Sequence, residues 1–268
     1  MLLRLAVATL LLALTHPAVA QPAATPDKTG AQLSYAVYAA GLNVTNFEVK
    51  TAFSPAAYRI NLSFSTAGMF SLFLPAHIDS FAQGTWSGTR PAPVRYASWG
   101  TVRGKLRRVT IDYRDTQPVL LELEPRDDGD HLPVPPGQEQ GGIDTLSGLA
   151  FLVRQIADTG NCDGEARLFD GRRVMQVVSR TAGRETLSAE GRSSFAGPAL
   201  HCVLSGHLLA GFQRDDDAAE RNRLHISEAW LAPVVPGHPP VPVRIIFEAR
   251  FFGHATAYLT EAAALKAP

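Results

Sequence analysis

Apolar and polar residues alternate along most of this chain with the two-residue period of a β-strand. In residues 58–64 every second side chain is apolar: Tyr58, Ile60, Leu62 and Phe64. The alternation recurs at 109–113 and 243–251, where we expect these residues to face inward: Val109, Ile111, Tyr113, Val243, Ile245, Phe247, Ala249 and Phe251. Such runs are typical of antiparallel strands with one side in water. Turn residues separate them, so the pattern predicts a long meander that curls or closes to protect its edges.

Residues 143–158 follow a helical period instead. Their apolar side chains recur about every 3.6 residues, at Ile143, Leu146, Leu149, Ala150, Val153, Ile156 and Ala157. Asp144 or Thr145 can cap the start of this helix, and Gly160 lies just past its end. We therefore predict a mainly β fold: one curled antiparallel sheet, or an open or partly closed β-barrel, with one packed amphipathic α-helix. Residues 31–268 form a single domain in this prediction.

The first twenty residues have the pattern of a cleaved secretory signal peptide. Arg4 precedes an apolar run at 5–14 that is too short to span a bilayer, and Ala18-Val19-Ala20 fits the small-residue site of a signal peptidase. An uncleaved N-terminal anchor is the alternative. We expect residues 21–30 to be a disordered mature terminus and the mature chain to have no transmembrane segment. The sequence thus predicts an exported, periplasmic protein.

Cysteine usage agrees with export. The chain has two cysteines, Cys162 and Cys202, and an oxidising compartment favours a disulfide between them. Free thiols, an intermolecular bridge and a soft-metal site are the alternatives. No metal-ligand spacing is evident around the cysteines or histidines, so we predict no metal and no cofactor. Lys plus Arg and Asp plus Glu both number 25, which leaves no net charge to attract nucleic acid or anionic lipid.

Catalytic signatures are missing from the sequence. The chain has no G-x-S-x-G, H-E-x-x-H, C-x-x-C or phosphate-loop motif, so we predict no catalytic residues. The segment that most resembles a reactive loop is FDGRR at 169–173. Its Asp170-Gly171 dipeptide is typical of a tight hairpin, and Arg172 and Arg173 point to opposite faces. Two interpretations stay open: an intramolecular Asp–Arg pair, or an arginine that anchors a ligand.

Three further segments bear on binding. AGMFSLFLP at 67–75 is crowded with apolar residues, and Phe70 and Phe73 are candidate ligand-lining residues there, with ordinary core packing as the alternative. RGKLRR at 103–108 is the densest basic cluster. It either meets phosphates of a lipid or polysaccharide or forms a charged hairpin tip that blunts a sheet edge. The segment 125–142 is rich in Pro and Gly and is predicted to be an exposed connector.

Four segments carry a resemblance to a known family. YAVYAAGLNVTNFEVK resembles the family's opening strand pair, through Tyr35, Val37, Tyr38, Gly41 and Leu42. IDTLSGLAFLV, CDGEARLFDGRR and GPALHCVLSGHLLAGF resemble its helix, its first cysteine segment and its second cysteine strand. The family is domain-of-unknown-function family 3108 (DUF3108), a group of exported proteobacterial proteins. The resemblance implies an envelope-associated, β-rich protein with no catalytic residues to carry over, and an open, curled sheet similar to the half-barrels of lipoprotein carriers.

These observations lead to one functional hypothesis and two alternatives. We expect a non-enzymatic periplasmic protein that supports envelope integrity. It would hold an apolar or lipid-like ligand, or a segment of an envelope protein partner, in the cavity of the curled sheet, with Arg172 or Arg173 as a polar anchor at the rim. The alternatives are an interaction scaffold whose core is filled by its own side chains, and a hydrolase that acts on envelope polymers.

Overall fold

The computed structural model describes residues 29–249 and 253–265. The predicted signal peptide at 1–20 and the inward position predicted for Phe251 lie outside these residues. The segment predicted to be disordered, 21–30, lies outside them up to residue 28. Its last two residues belong to the first strand, which begins at Thr29. The prediction of disorder is therefore wrong for those two residues, because strand pairing holds their backbone in place.

The described part of the chain folds into one sheet of thirteen antiparallel strands and three helices. The strands are Thr29–Ala39 (β1), Leu42–Phe53 (β2), Ala57–Thr66 (β3), Ala76–Ser87 (β4), Arg90–Val102 (β5), Lys105–Arg114 (β6), Gln117–Glu124 (β7), Gly164–Phe169 (β8), Val174–Leu187 (β9), Gly197–Ala210 (β10), Leu224–Ala232 (β11), Val241–Ala249 (β12) and Gly253–Leu265 (β13). The helices are Phe70–Phe73 (α1), Thr145–Thr159 (α2) and Ala218–Arg221 (α3). The predicted fold class, a mainly β chain with one curled antiparallel sheet, is confirmed.

The strand order places the first and last strands side by side. It runs β7-β6-β5-β4-β3-β2-β1-β13-β12-β11-β10-β9-β8, so β1 pairs with both β2 and β13 in the middle of the sheet. Strands β7 and β8 are its two edges, and the chain from residue 125 to residue 163, which contains α2, connects them. The predicted meander is thus interrupted once, at the connection between the two edges.

The sheet curls until its two edges approach each other without pairing. A Cβ atom added to Gly171, in the turn after β8, would lie 2.7 Å from Val109 Cγ1 on β6 and 3.4 Å from Leu120 Cδ1 on β7. Ile143 pairs in parallel with the edge of β8 that β9 leaves free. Its backbone N–H donates to Arg167 O at 2.9 Å, and its carbonyl oxygen accepts from Phe169 N at 2.8 Å. The connecting segment therefore covers one edge with backbone hydrogen bonds.

Helix α2 packs against one face of the curled sheet. Asp144 caps its start by accepting a hydrogen bond from Ser147 N at 2.8 Å, and Gly160 ends it in the left-handed conformation, with φ of 75°. Its buried apolar side chains belong to the main core and pack against β3, β4, β5 and β8: Leu146, Ala150, Val153 and Ile156. The predicted helix is confirmed, although Ala157 is exposed and lies outside the buried stripe.

A buried polar network fixes the start of α2. The Ser147 hydroxyl donates to Asp144 Oδ2 at 2.6 Å, and the Tyr58 hydroxyl on β3 donates to Ser147 Oγ at 2.7 Å. The Tyr113 hydroxyl on β6 donates to Asp144 Oδ2 at 3.3 Å. Burial raises the pKa of the Asp144 carboxyl above its ordinary range, against the opposing effect of the hydrogen bonds from Ser147. The helix start is thereby tied to two strands that are not adjacent in the sheet.

A disulfide ties the end of α2 to the second half of the sheet. Cys162 and Cys202 are both fully buried and are bonded to each other, with 5.9 Å between their Cα atoms. Cys162 follows the helix, whereas Cys202 lies on β10, beyond β9. The predicted pairing is confirmed. The bridge passes over β9, whose Ser179 and Thr181 side chains also hydrogen-bond to the backbone of Cys162.

The double variant Cys162→Ser/Cys202→Ser is expected to lose about 2–5 kcal/mol of unfolding free energy, because its unfolded chain is no longer restricted by the bridge. Urea denaturation of the variant and of the oxidised and reduced wild type measures this loss. The reduced wild type serves as the control and should resemble the variant. Two alkylatable thiols in the untreated, natively purified protein would contradict the pairing.

Asp144→Asn is expected to change how stability depends on pH. Because the folded pKa of Asp144 is raised, the folded state binds more protons than the unfolded state between the ordinary aspartate pKa and the raised value. The wild type therefore loses stability relative to the variant as pH rises through that window. Urea denaturation of the wild type and of Asp144→Asn across this range should show the difference, and Asp115→Asn, in an exposed turn, is the control for the loss of an aspartate elsewhere. Parallel curves for Asp144→Asn would contradict the prediction.

Candidate functional site

The connections β1–β2, β3–β4 and β5–β6 lie at one end of neighbouring strands, together with the end of β12 and the start of β13. We call it the α1 end because α1 is part of it. Helix α2 packs toward the opposite end of β3 and β4. There it contacts Tyr58 at the start of β3, and the Arg154 guanidinium lies 5.2 Å from the Trp86 ring near the end of β4. The α1 end of these strands is therefore not covered by α2.

An apolar pocket of about 350 Å³ lies at the α1 end. It is lined by Val37, Ala39, Val44, Thr45, Phe47, Phe64, Phe70, Phe247, Ala249 and Ala255, from β1, β2, β3, α1, β12 and β13. Of the described residues in this lining, only Thr45 has a polar side chain. The volume falls in the range of small-molecule sites, roughly 300–1,000 Å³. The pocket is thus a site that can bind an apolar group and that offers no charge to it.

One residue of the pocket lining, Phe47, stacks on a tyrosine of the main core. The rings of Tyr35 and Phe47 lie 4.5 Å apart at an angle of 13°, and the buried Tyr35 hydroxyl donates to Pro242 O at 2.8 Å. Burial raises the pKa of Tyr35 far above its ordinary value, so the phenol stays neutral. Phe47 packs against both the main core and the pocket cluster. Phe47 therefore connects the pocket to the main core.

A β-bulge directs two consecutive residues of β2 into the pocket. Val37 pairs with Thr45 and Tyr38 with Asn43, which leaves Val44 without a partner on β1. The side chains of Val44 and Thr45 are both buried and both line the pocket, whereas successive residues of a regular strand face opposite sides. Strict alternation does not predict this arrangement, so the sequence analysis did not identify Val44 as a lining residue.

Helix α1 places its aromatic residues on different sides. Phe70 lines the pocket, as the sequence predicts for a ligand-lining residue. Phe73 does not reach it and is 75% exposed, together with Met69 at 72% and Leu72 at 78%. The alternative interpretation, ordinary core packing, is therefore wrong for these three residues. A four-residue helix has one narrow inner side, and here Phe70 alone occupies it.

The FDGRR segment forms a hairpin turn, as predicted, and both arginines have partners within the chain. Asp170 Oδ1 accepts from the backbone N–H groups of Arg172 and Arg173, and Asp170 Oδ2 accepts from the Arg173 guanidinium at 2.8–2.9 Å. The intramolecular Asp–Arg pair is thus observed for Arg173. The Arg172 guanidinium donates instead to the Pro125 carbonyl and lies 3.4 Å from Asp128. The turn therefore holds the chain that leaves β7.

Asp128 is the centre of this contact between the edges, which we call the seam. Its side chain is only 4% exposed, although most of the connector 125–142 is exposed as predicted. It also accepts hydrogen bonds from the backbone N–H groups of Asp130 and His131 and from the His131 ring. Burial tends to raise the pKa of the Asp128 carboxyl, but the hydrogen bonds from His131 and Asp130 and the charge of His131 together hold the pKa below its ordinary range. Arg107 on β6 lies 3.8 Å away. An ionised Asp128 thus joins β6, the connector and the turn after β8.

Arg172 also lines a separate cleft of about 440 Å³ at the seam, together with residues of β7 and of the connector. Its lining mixes apolar side chains with Asp127, Asp128, His131 and Arg214. Phe70 is not part of this cleft, and Arg172 is not part of the apolar pocket. The predicted ligand-binding residues therefore do not converge: Phe70 lies at one site, Arg172 at another, and Arg173 and Phe73 line neither.

Within residues 29–249 and 253–265, no three His, Cys, Asp or Glu side chains are grouped as a metal site requires. No helix in that part of the chain has the length and apolar character that a membrane crossing would need.

The comparison with known families assigns the chain to a family. The family model described as "Protein of unknown function (DUF3108)" matches residues 34–260, so the chain belongs to this family, as the sequence resemblance predicts. Among solved structures, the chain is similar to a beta-barrel-like protein of domain of unknown function DUF1849 from Brucella abortus. The TM-score is 0.53 and the identity 10%, over 90% of this chain and 100% of that chain. At this identity the likeness concerns the fold. No curated protein matches the chain.

Gly171→Ala is expected to destabilise the protein more than Gly104→Ala does. Both glycines have positive φ in hairpin turns, at 91° and 73°, so both substitutions carry a backbone cost of about 1–2 kcal/mol. Only at Gly171 would the added Cβ meet a stiff neighbour, Val109 Cγ1 at 2.7 Å, whereas the space around Gly104 is open. Urea denaturation measures the difference. Equal losses for the two variants would show that the seam is not closely packed at this turn.

Proposed function

We propose that this protein is an exported, non-enzymatic protein of the cell envelope that binds an apolar chain, such as the acyl chain of a lipid, in the pocket at the α1 end. The observation that carries the proposal is the lining of the pocket, which consists of aliphatic and aromatic side chains with Thr45 as its only polar member among the described residues. The transfer of an apolar group from water to such a surface is favourable in free energy. It offers nothing to hold a charged group.

The lining favours binding over catalysis. Acid–base and nucleophilic chemistry need a titratable or nucleophilic group within reach of the bound molecule, and the residues that line the pocket supply none that ionises. Elsewhere, the Ser147 hydroxyl is hydrogen-bonded to Asp144, but both residues are fully buried at the start of α2. Their contacts hold the start of the helix, which supports a structural role for this pair over a hydrolytic one.

Two features support export to the periplasm. The first is the signal-peptide pattern of residues 1–20. The second is the disulfide between Cys162 and Cys202, which uses both cysteines of the chain. Disulfides persist in oxidising compartments such as the periplasm and are rare in the bacterial cytosol. A role in envelope integrity is the function that agrees with this location and with a site for apolar chains.

One observation favours a second candidate, an interaction scaffold with a filled core. Helix α2 and the main core already occupy the face of the sheet toward its other end, and 30 buried residues form that core among the described residues. If the remaining pocket closes around its own side chains, partners would be bound by loops or edge strands instead. The experiment below distinguishes the two candidates.

Ala249→Phe is expected to weaken binding of a fluorescent fatty acid by about tenfold or more, because the added ring occupies the pocket that Ala249 lines. The matched control is Ala262→Phe, which places the same substitution at an exposed position of the neighbouring strand. Fluorescence titration in solution without membranes measures both affinities, and thermal unfolding checks that both variants fold. A wild type that binds no fatty acid, or a control weakened equally, would favour the scaffold with a filled core.

A further inference from the structure

Four exposed apolar side chains cluster around α1. Met69, Leu72 and Phe73 are 72–78% exposed, and Leu42, in the neighbouring β1–β2 connection, is 63% exposed. The backbone joins the two segments, because Ala67 N donates to Val44 O at 3.0 Å, two residues from Leu42. We call these four residues the apolar rim. Scattered single exposed hydrophobic residues are normal, but a contiguous group of large ones marks an interaction surface.

The β5–β6 hairpin lies beside the apolar rim and carries positive charge. Arg103 N donates to Pro75 O at 2.8 Å, which fixes the hairpin turn two residues beyond Phe73. Arg103 and Lys105 are exposed, and neither has an ion-pair partner among the residues that the structure describes. We call these two residues the basic tip. Leu106 follows them and is 41% exposed, so apolar character continues along the hairpin.

Acidic residues are absent from both segments. Neither 67–75 nor 99–111 contains Asp or Glu. The next two arginines along β6 do have carboxylate neighbours: Arg107 lies 3.8 Å from Asp128 and Arg108 lies 3.0 Å from Glu122. At this end of β6 the unbalanced charge therefore lies at the basic tip, next to the apolar rim. An apolar protrusion with adjacent unpaired cations is complementary to an anionic phospholipid surface. The acyl region accepts the apolar side chains, and the phosphates attract the cations.

We propose that the α1 end docks on a membrane surface that contains anionic phospholipid, with the apolar rim inserted at the headgroup boundary and the basic tip on the phosphates. The contact is peripheral and reversible, because four side chains and two charges are far fewer than a membrane-spanning element provides. Phe70 belongs to the same short helix as Leu72 and Phe73 but lines the apolar pocket. Docking would therefore bring the pocket to the lipid surface. The docking itself does not depend on whether the pocket takes a ligand.

The test is co-sedimentation of the mature protein with vesicles, either of phosphatidylcholine alone or of phosphatidylcholine mixed with phosphatidylglycerol. The wild type should bind the mixed vesicles, and added salt should weaken this binding because exposed charges are screened. Arg103→Gln/Lys105→Gln should weaken it about fivefold for each charge removed. Leu72→Ser/Phe73→Ser should abolish it. The four substituted side chains, those of Leu72, Phe73, Arg103 and Lys105, are all exposed. Both double variants should therefore keep the thermal stability of the wild type.

Matched controls carry the same kinds of change elsewhere on the surface. Arg114→Gln/Arg184→Gln removes two exposed cations, and Leu121→Ser/Val94→Ser removes two exposed apolar side chains. Both controls should bind the mixed vesicles as the wild type does. Equal binding of the wild type to both vesicle types, no binding to either, or equal losses in test and control variants would overturn the proposal. The fatty-acid titration contains no membranes, so it tests ligand binding in the pocket alone. The vesicle experiment tests membrane docking, and a negative result in one experiment does not imply a negative result in the other.

Discussion

The rest of the structure depends on how a long antiparallel sheet hides its two edges. Strands β7 and β8 each leave one side of their backbone unpaired, and the sheet does not join them directly. Instead, the chain between them pairs with β8 through Ile143, and the buried carboxylate of Asp128 joins the connector to Arg172 in the turn after β8. Bringing the two edges together in this way leaves an interior that is wide enough for a helix. That helix, α2, belongs to the connection between β7 and β8.

The interior is divided by a second constraint, the buried polar network at the start of α2. Asp144 and Ser147 are fully buried polar side chains that need partners within the protein, and Tyr113 and Tyr58 supply them from two strands. This fixes the helix toward one end of the strands. The other end keeps an apolar lining without a helix, and the bulge at Val44 turns one more side chain toward it. The pocket is thus a consequence of where the polar groups of the helix are satisfied.

Local sequence patterns predicted the strands and the helix of this fold. They did not predict which residues pair across long distances in the sequence. Alternation at 58–64 predicted a strand because successive residues of a strand face opposite sides of the sheet, and two cysteines allow only one internal pairing. The partner of Arg172 could not be predicted, since Asp128 lies in a segment whose Pro, Gly and Asp residues are typical of exposed loops. The sequence shows that apolar residues are concentrated around Phe70. Which of their side chains are exposed depends on a helix of four residues, and a segment that short has no periodicity from which the helix could be predicted.

The adjacency of β1 and β13 has a consequence for the order of folding. The middle of the sheet requires the first and the last strands together, so it forms only after the whole chain up to β13 is available. Before that moment the strands preceding α2 and those following it can assemble only as two half-sheets. Such distant pairing slows folding, because a large loop must close before the contact stabilises it. A chain that ends before β13 would expose an additional bare edge on each half, and such edges are where chains aggregate.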